Sequence, residues 1–330
     1  MLAVPARTLG AAVQLRDKQT DPAASATGAL SGALWIDALS PTAEEVQAIV
    51  SATGLAPPTE SSLVEIETSS RLADRDGVLY LSVPLAYRAS DGGVVSSPLG
   101  FVLTEERLLT VHFDRIPMLD AYAETLRQRR EPPRSSWHVL VGVLEQIVDS
   151  LADMLERSRA DLDAVSRRIF AESAEPVRGG AELRDLLQTV GRAGEDVSAI
   201  RDTLLVLGRL VAFVARSDRV KSAHDLDRRI RTVRADIASL SDYDAHVAQK
   251  VQFLLDAILG LINIAQSNII KLMTVVGVVG VPPTLIASIY GMNFEVMPEL
   301  HFRYGYPMAL LAIVASAVLP VIWFKRRGWL

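Results

Sequence analysis

The chain has 330 residues, 49% hydrophobic and 22% charged, with a formal net charge of −5 and no cysteine, which excludes disulfides and thiolate-ligated metals. Residues 1–270 hold 37 of the acidic side chains (39 − 2) and 29 of the lysines and arginines (34 − 5), a net charge of −8. Such an acidic body lacks the clustered cations that phosphate contacts need, so no nucleic-acid partner is expected.

Residues 1–135 are predicted to form an α/β domain, because short runs of aliphatic and aromatic residues alternate with turn-forming residues. The last of these runs is long enough to fold back on itself through Thr104–Arg107. The predicted strand segments are 33–37, 77–87 and 99–113.

A helix is predicted directly after the first of these strands. Ser40 is suited to cap it, and Pro41 is suited to its first turn, where the missing N–H has no helical partner. The segment 88–98 is rich in Gly, Ser and Asp and is predicted to be a loop.

Long cytoplasmic helices are predicted over residues 136–241, because apolar residues recur there at spacings of 3 and 4. A stalk helix is then predicted from about Asp242 to Met292, continuing through Pro282–Pro283 into a first transmembrane span. Its apolar seam keeps a heptad spacing, which is typical of helices packed over several turns. The seam comprises Val247, Val251, Leu254, Ile258, Leu261, Ala265, Asn268 and Leu272.

Two uncharged runs, Leu272–Met292 and Pro307–Phe324, each have about the ~20 residues that cross a bilayer core. The alternative is a pair of buried helices in a soluble protein. Lys271 precedes the first run and Lys325–Arg327 follow the second, so both chain ends are predicted to be cytoplasmic. The loop 293–306 then faces the periplasm or the exterior, and 325–330 forms a basic cytoplasmic tail.

The C-terminal 70 residues resemble the CorA-type magnesium/cobalt transport family, also called the two-helix GxN or CorA metal ion transporter family. The triplet GMN (291–293) stands at the outer end of the first of two terminal spans, followed by MPEL and a basic tail. The segments that carry the resemblance are INIAQSNIIK (262–271), VPPTLIASIYGMNFEVMPEL (281–300), GYP (305–307) and FKRRGWL (324–330), with weaker likeness in WIDALSPTAEE (35–45) and GFVLTEERLLTVHF (100–113).

The resemblance implies a funnel-shaped homopentamer in the inner (plasma) membrane, with the first span lining the pore. It also implies channel-like uptake of Mg²⁺, and of Co²⁺ and Ni²⁺, down the electrochemical gradient. The family closes when cytoplasmic Mg²⁺ occupies acidic sites between subunits, so Mg²⁺ would be both substrate and regulatory ligand. The candidate regulatory acids are Asp149, Asp153, Asp161, Asp163, Asp242 and Asp244.

The residues of the motif suit a hydrated ion. Mg²⁺ loses water reluctantly, and neither span offers a carboxylate to compensate a stripped dication. The Asn293 amide can accept hydrogen bonds from ion-bound waters without adding charge, although Asn is also common as a helix C-cap. Gly291 allows close backbone approach. The candidate metal site comprises Tyr290, Gly291 and Met292 at the turn, Asn293, and the loop acids Glu295 and Glu299, which would concentrate cations unless they are only solvated.

Further positions match the pore-facing positions of the resemblance. Ile270 and Met273 would form adjacent apolar rings, which can close a pore by dewetting. The alternative is ordinary helix packing, or for Asp256 a solvated face. The candidate pore positions are Asp256, Ser267, Ile270, Met273, Val281 and Thr284.

Two other functions remain open from the sequence: proton-linked Zn²⁺ transport within the same superfamily, and a membrane-anchored helical scaffold. No catalytic signature and no G-x-x-x-x-G-K-[ST] phosphate loop is present in the sequence. We therefore expect neither an enzyme nor an organic cofactor.

Overall fold

A computed structural model describes residues 12–15, 30, 32–64, 71–90, 92–128, 131–170, 180–292 and 303–329. The chain forms two compact units, Met1–Leu255 and Asp256–Leu330. The helices of the described ranges are α1 (Ala43–Thr53), α2 (Glu60–Val64), α3 (Pro117–Gln128), α4 (Ser136–Phe170), α5 (Gly180–Val214), α6 (Asp218–Ser222), α7 (His224–Tyr290) and α8 (Gly305–Arg326).

The first unit contains a six-stranded mixed sheet with the order β1-β2-β6-β5-β4-β3. Its β1–β2 and β2–β6 pairs are parallel, and the other pairs are antiparallel. Buried aliphatic residues of β2, β5 and β6 pack against Ile49 of α1, which places a core on that face of the sheet. The strands are β1 (Ala12–Leu15), β2 (Trp35–Leu39), β3 (Leu72–Arg75), β4 (Val78–Arg88), β5 (Val94–Leu103) and β6 (Leu108–His112).

The predicted fold-back through Thr104–Arg107 is confirmed. β5 and β6 pair as a hairpin, and the Thr104 N–H donates to the Arg107 carbonyl at 3.0 Å. The loop predicted over 88–98 is too long, because β5 begins at Val94, which pairs with Arg88. Strand β4 is eleven residues long and needs a partner along its whole length, so the turn is limited to the residues between Arg88 and Val94.

The predicted cap of α1 is wrong by two residues. Thr42 is the N-cap: its Oγ1 accepts from the Glu45 N–H at 3.3 Å, and the Glu45 carboxylate accepts from the Thr42 N–H at 2.8 Å. This reciprocal pair satisfies two of the free donors at the helix start, which a Ser40 cap would leave unpaired. Ser40 instead donates its hydroxyl to the Phe113 carbonyl at 2.8 Å.

The long helices agree with the predicted spacings, but α7 begins at His224 and not near Asp242. No Gly or Pro interrupts residues 224–242. Asp225 and Asp227 lie in the first turn, where negative charge favours a helix start. The apolar seam also extends upstream through buried residues at spacings of 4, 3 and 4: Leu226, Ile230, Val233 and Ile237.

Charged contacts join the first part of α7 to α4 and α5 within the first unit. The Arg229 guanidinium donates two hydrogen bonds to the Glu145 carboxylate, at 2.8 and 2.6 Å. Burial of the apolar seam supplies most of the stability of this helix packing, and the charged contacts add specificity to the way the helices pack. The other pairs are His138–Asp225 at 2.8 Å, Arg201–Asp244 at 2.7 Å, and Lys250–Asp163.

Two helices of the described part are long and apolar enough to cross a membrane: α7, through its C-terminal half, and α8. Only 6% of the apolar window of α7 and 11% of that of α8 are buried within the chain. Core helices of a soluble protein are mostly buried, so this low burial excludes the alternative of two buried core helices in a soluble fold of one chain. Helix α7 continues through Pro282 and Pro283, as predicted.

Candidate ion pathway

The motif region begins where α7 ends. Tyr290 is the last residue of α7, the Gly291 N–H donates to the Ala287 carbonyl at 3.0 Å, and the Met292 N–H donates to the Ile289 carbonyl at 3.3 Å. Met292 is exposed. The remaining candidate metal residues, Asn293, Glu295 and Glu299, lie outside the described residues, and their roles stay predictions.

Glycine at position 291 has a local steric reason. A Cβ added there would lie 3.2 Å from the carbonyl oxygen of Ala287, closer than nearly all real Cβ contacts. A side chain would push that carbonyl aside by a few tenths of an ångström. Gly291 therefore keeps the last turn tight up to the point where the motif leaves the helix.

The candidate pore positions share one face of α7. At ~100° per residue they fall within an arc of ~120°. Ile270, Met273 and Val281 are 66%, 65% and 63% exposed, and Asp256, Ser267 and Thr284 are also exposed. Residues on other faces, such as Val276, are comparably exposed. The shared helical phase, and not exposure, is therefore what groups these positions.

Thr284 is the outermost of the candidate pore positions on this face. Its hydroxyl donates to the Gly280 carbonyl at 2.8 Å. The donor is thereby used within the helix, while the oxygen lone pairs stay free to accept hydrogen bonds. Pro282 and Pro283 have no N–H, so the Val278 and Val279 carbonyls have no helical donor at the usual fourth residue. The span thus presents acceptors and no charge.

The candidate regulatory acids fall into two groups. Asp163 and Asp244 are engaged within the chain: the hydrogen bond from Lys250 lowers the pKa of Asp163, and Arg201 binds the buried Asp244. The others, Asp149, Asp153, Asp161 and Asp242, are largely exposed, with Asp149 partly desolvated.

Asp149 lies in an acidic strip that the sequence analysis missed. Partial burial and the neighbouring Glu145, Asp153 and Asp236 raise the pKa of Asp149. The spacing of Glu145, Asp149 and Asp153, four residues apart on α4, was visible in the sequence; the approach of Asp236 from α7 was not. No group of three or more His, Cys, Asp or Glu that could hold a metal exists among the described residues of one chain.

Comparison with known proteins decides the family. Residues 31–326 match the family described as CorA-like Mg²⁺ transporter protein. This chain belongs to that family. The CorA family is one of membrane transporters, in agreement with the two apolar helices found here.

Relatives match along nearly the whole chain. The magnesium transport protein CorA of Haemophilus influenzae is 33% identical over 96% of this chain and 96% of its own length. That of Mannheimia succiniciproducens is 34% identical over 91% of this chain and 93% of its own. Among solved structures, the CorA magnesium transporter from Methanocaldococcus jannaschii is 20% identical, with a TM-score of 0.68 over 90% of this chain and 91% of that one. The predicted resemblance and the fold class, an α/β domain followed by long helices and C-terminal apolar helices, are confirmed.

Proposed function

We propose that this protein conducts hydrated Mg²⁺ into the cell down its electrochemical gradient, with Co²⁺ and Ni²⁺ as further substrates. The observation that carries the proposal is the exposed apolar span of α7, which contains no carboxylate and ends at the uncharged GMN motif. The magnesium transport proteins that match along nearly the full length support it. A dication gains about 4.6 kcal/mol on crossing a 100 mV potential, at ~2.3 kcal/mol per charge, so no nucleotide is needed. We assign the chain no catalytic role.

The proposed active form is a homopentamer with a funnel-shaped cytoplasmic part. Two helices cannot enclose a pore, so several copies must surround one axis. The apolar exposure of α7 and α8 supports contacts with lipid and with other copies. We place the protein in the inner (plasma) membrane with both termini in the cytoplasm, because Lys271 and Lys325–Arg327 flank the inner ends of the two spans.

In the proposed pathway the ion enters with its water shell. Asn293 accepts hydrogen bonds from that shell, and Gly291 brings backbone oxygens close to it. Tyr290 and Met292 hold the turn, while Glu295 and Glu299 concentrate cations at the mouth. Val281 and Thr284 then line the span.

The proposed gate lies near the inner end of the span. Ile270 and Met273 are one helical turn apart on the same face, so a ring of copies would place two apolar constrictions in series. Apolar constrictions close pores by excluding water. Ser267 and Asp256 would line the pathway below them, where Asp256 adds an acidic ring.

Regulation by cytoplasmic Mg²⁺ is proposed to act between subunits. The described residues of a single chain offer no ready cluster of metal ligands, while Asp149 and Asp153 are exposed and repel their acidic neighbours. A dication bridging two copies would relieve that repulsion, which would favour a closed assembly at high internal Mg²⁺.

The decisive test is Mg²⁺ influx into liposomes for Asn293→Ala. We expect influx to fall at least tenfold, or selectivity among Mg²⁺, Co²⁺, Ni²⁺ and Zn²⁺ to be lost, because the acceptor for the hydration shell is removed. Asn268→Ala is the matched control, since Asn268 is exposed on α7 about 160° from Ile270 at ~100° per residue.

Each outcome separates the candidate functions. Unchanged influx in Asn293→Ala would contradict the pore-mouth assignment, and no flux in the unmodified protein would favour a helical scaffold. Zn²⁺ uptake that needs a pH gradient, without Mg²⁺ uptake, would favour the proton-linked Zn²⁺ transporter.

A further inference from the structure

The C-terminal end of α8 is folded back on itself. Gly328 adopts a left-handed conformation with φ 70°. The Trp329 N–H donates to the Phe324 carbonyl at 3.0 Å, and the Gly328 N–H donates to the Lys325 carbonyl at 3.2 Å. These two bonds form a Schellman motif, in which the apolar residue after the glycine contacts the last helical turn. The tail therefore stays at the helix end and does not extend away from it.

Aromatic rings complete this fold-back. Trp329 stacks on Phe324 with ring centroids 5.4 Å apart, and Trp323 meets Phe324 edge-on at 5.1 Å. Phe324 is only 3% exposed, whereas Trp323 and Trp329 are 51% and 42% exposed. Exposed indoles at the end of an apolar helix are typical of the membrane–water interface.

Lys325, Arg326 and Arg327 are three consecutive cations at the C-terminal end of α8. The Arg327 guanidinium lies 5.1 Å from the centre of the Trp323 ring, a cation–π contact. Lys325 and Arg326 are exposed, and within the described ranges no acidic side chain pairs with either. With a rise of ~1.5 Å per residue, the three charges span only about 3 Å along the axis.

An apolar surface adjoins these cations directly. Leu319 and Ile322, within two turns of Lys325, are 65% and 46% exposed. A partner for this place must bring an anionic group to the cations and hydrocarbon to the neighbouring side chains. A phospholipid with an anionic headgroup has both parts, whereas a soluble anion has only one.

We propose that this end of α8, defined as the tail site (Trp323–Trp329), binds anionic phospholipid headgroups of the cytoplasmic leaflet. The inference rests on the membrane orientation given under the proposed function. Lys325 and Arg326 contact the headgroup phosphate, and the indoles hold the site at the depth of the headgroups. Each juxtamembrane cation raises the association constant for anionic lipid by about fivefold, the equivalent of ~1 kcal/mol.

Tryptophan quenching by brominated lipids tests the tail site in the full-length protein. The chain has four tryptophans, and Trp35 and Trp137 are buried in the first unit, so quenching reports Trp323 and Trp329. Vesicles contain phosphatidylcholine and phosphatidylglycerol, and either lipid carries the bromine. Varying its fraction yields the relative association constant. We expect phosphatidylglycerol to be preferred in the unmodified protein.

The variant Lys325→Gln/Arg326→Gln should lower the preference for phosphatidylglycerol several-fold. At low salt the loss should approach about fivefold for each cation removed. Arg303→Gln is the matched control, because Arg303 precedes the opposite end of α8, and it should leave the preference unchanged. Equal quenching by both brominated lipids in the unmodified protein, or a preference retained in the double variant, overturns the inference. Mg²⁺ influx measured in the same vesicles tests the proposed function separately, since either result can fail alone.

Discussion

Asp149 lies where the surroundings in the first unit disfavour its charged form. It lies four residues from Glu145 and from Asp153 on α4, and Asp236 approaches from α7. Partial burial and these like charges raise its pKa. The acid is therefore better suited to neutralisation, by a proton or a cation, than to the fully charged state.

We predict that Asp149→Asn stabilises the protein at neutral pH. A raised folded-state pKa means that stability falls as pH rises from the ordinary carboxyl range through the folded pKa, and stays lower above it. Removing the charge should restore about 0.5 kcal/mol, the size of an exposed like-charge effect on a helix. The thermal unfolding midpoint of the solubilised protein, followed by circular dichroism from pH 3 to 8, measures this.

The gain for Asp149→Asn should vanish at the acidic end, where Asp149 is protonated in both states. Glu156→Gln, an exposed site on the same helix, is the control and should change little. A gain of equal size at every pH would mean that the charge of Asp149 is not its cause.

At the scale of elements, α5 protects an open edge of the sheet. Strand β3 pairs with β4 only from Val78 to Leu81, so the rest of that edge needs other partners. The buried Thr203 of α5 supplies a partner for two backbone groups there: its hydroxyl accepts from the Ala86 N–H at 2.9 Å and donates to the Pro84 carbonyl at 2.8 Å, the nearer of two acceptors, the other being the Ala199 carbonyl at 3.1 Å. One side chain therefore ties the helix to the backbone of β4.

We predict that Thr203→Val destabilises the protein by about 2 kcal/mol. Valine keeps the shape but leaves a buried donor and a buried acceptor unpaired, each at a cost of ~1–3 kcal/mol before relaxation. Thr203→Ser keeps the hydroxyl and should lose clearly less. The midpoints of thermal unfolding compare the two variants, and equal losses would show that the methyl group, and not the hydrogen bonds, matters.

At the scale of the whole molecule, a single chain cannot by itself form the proposed pore. Helix α7 exposes an apolar surface along its membrane span, and the candidate pore face is solvent-exposed in the single chain. The proposed gate exists only when several copies bring Ile270 together around one axis. Its test must therefore measure flux and not the stability of a chain.

We predict that Ile270→Ser makes the pore leak at high internal Mg²⁺. A hydroxyl in the apolar constriction admits water, so the closed state conducts. Entry of Co²⁺ into liposomes loaded with millimolar Mg²⁺, read from quenching of a trapped dye, should rise several-fold. Leu272→Ser is the control: Leu272 is 56% exposed but lies ~160° from Ile270 and ~100° from Met273 around the helix. Equal leakage in both variants would contradict the gate.

The sequence alone was sufficient for features that rest on local chemistry. Uncharged runs of bilayer length predicted the spans of α7 and α8, and spacings of 3 and 4 predicted the long helices, because both signals lie within one element. The position of Gly291 was likewise readable from the motif. The start of α7 was missed although its signal, the seam through Leu226 and Ile230, is also local.

Only the tertiary structure decided features that depend on distant neighbours. Ser40 donates to the Phe113 carbonyl just after β6, a partner distant in sequence, whereas the Thr42 cap of α1 rests on Glu45 and was readable from the local spacing. Residues predicted as a loop became β5, since β4 offered unpaired backbone. The strip at Asp149 needs Asp236 from another helix. Burial and charge depend on which elements meet, and the periodicity of one segment carries no information about its partner.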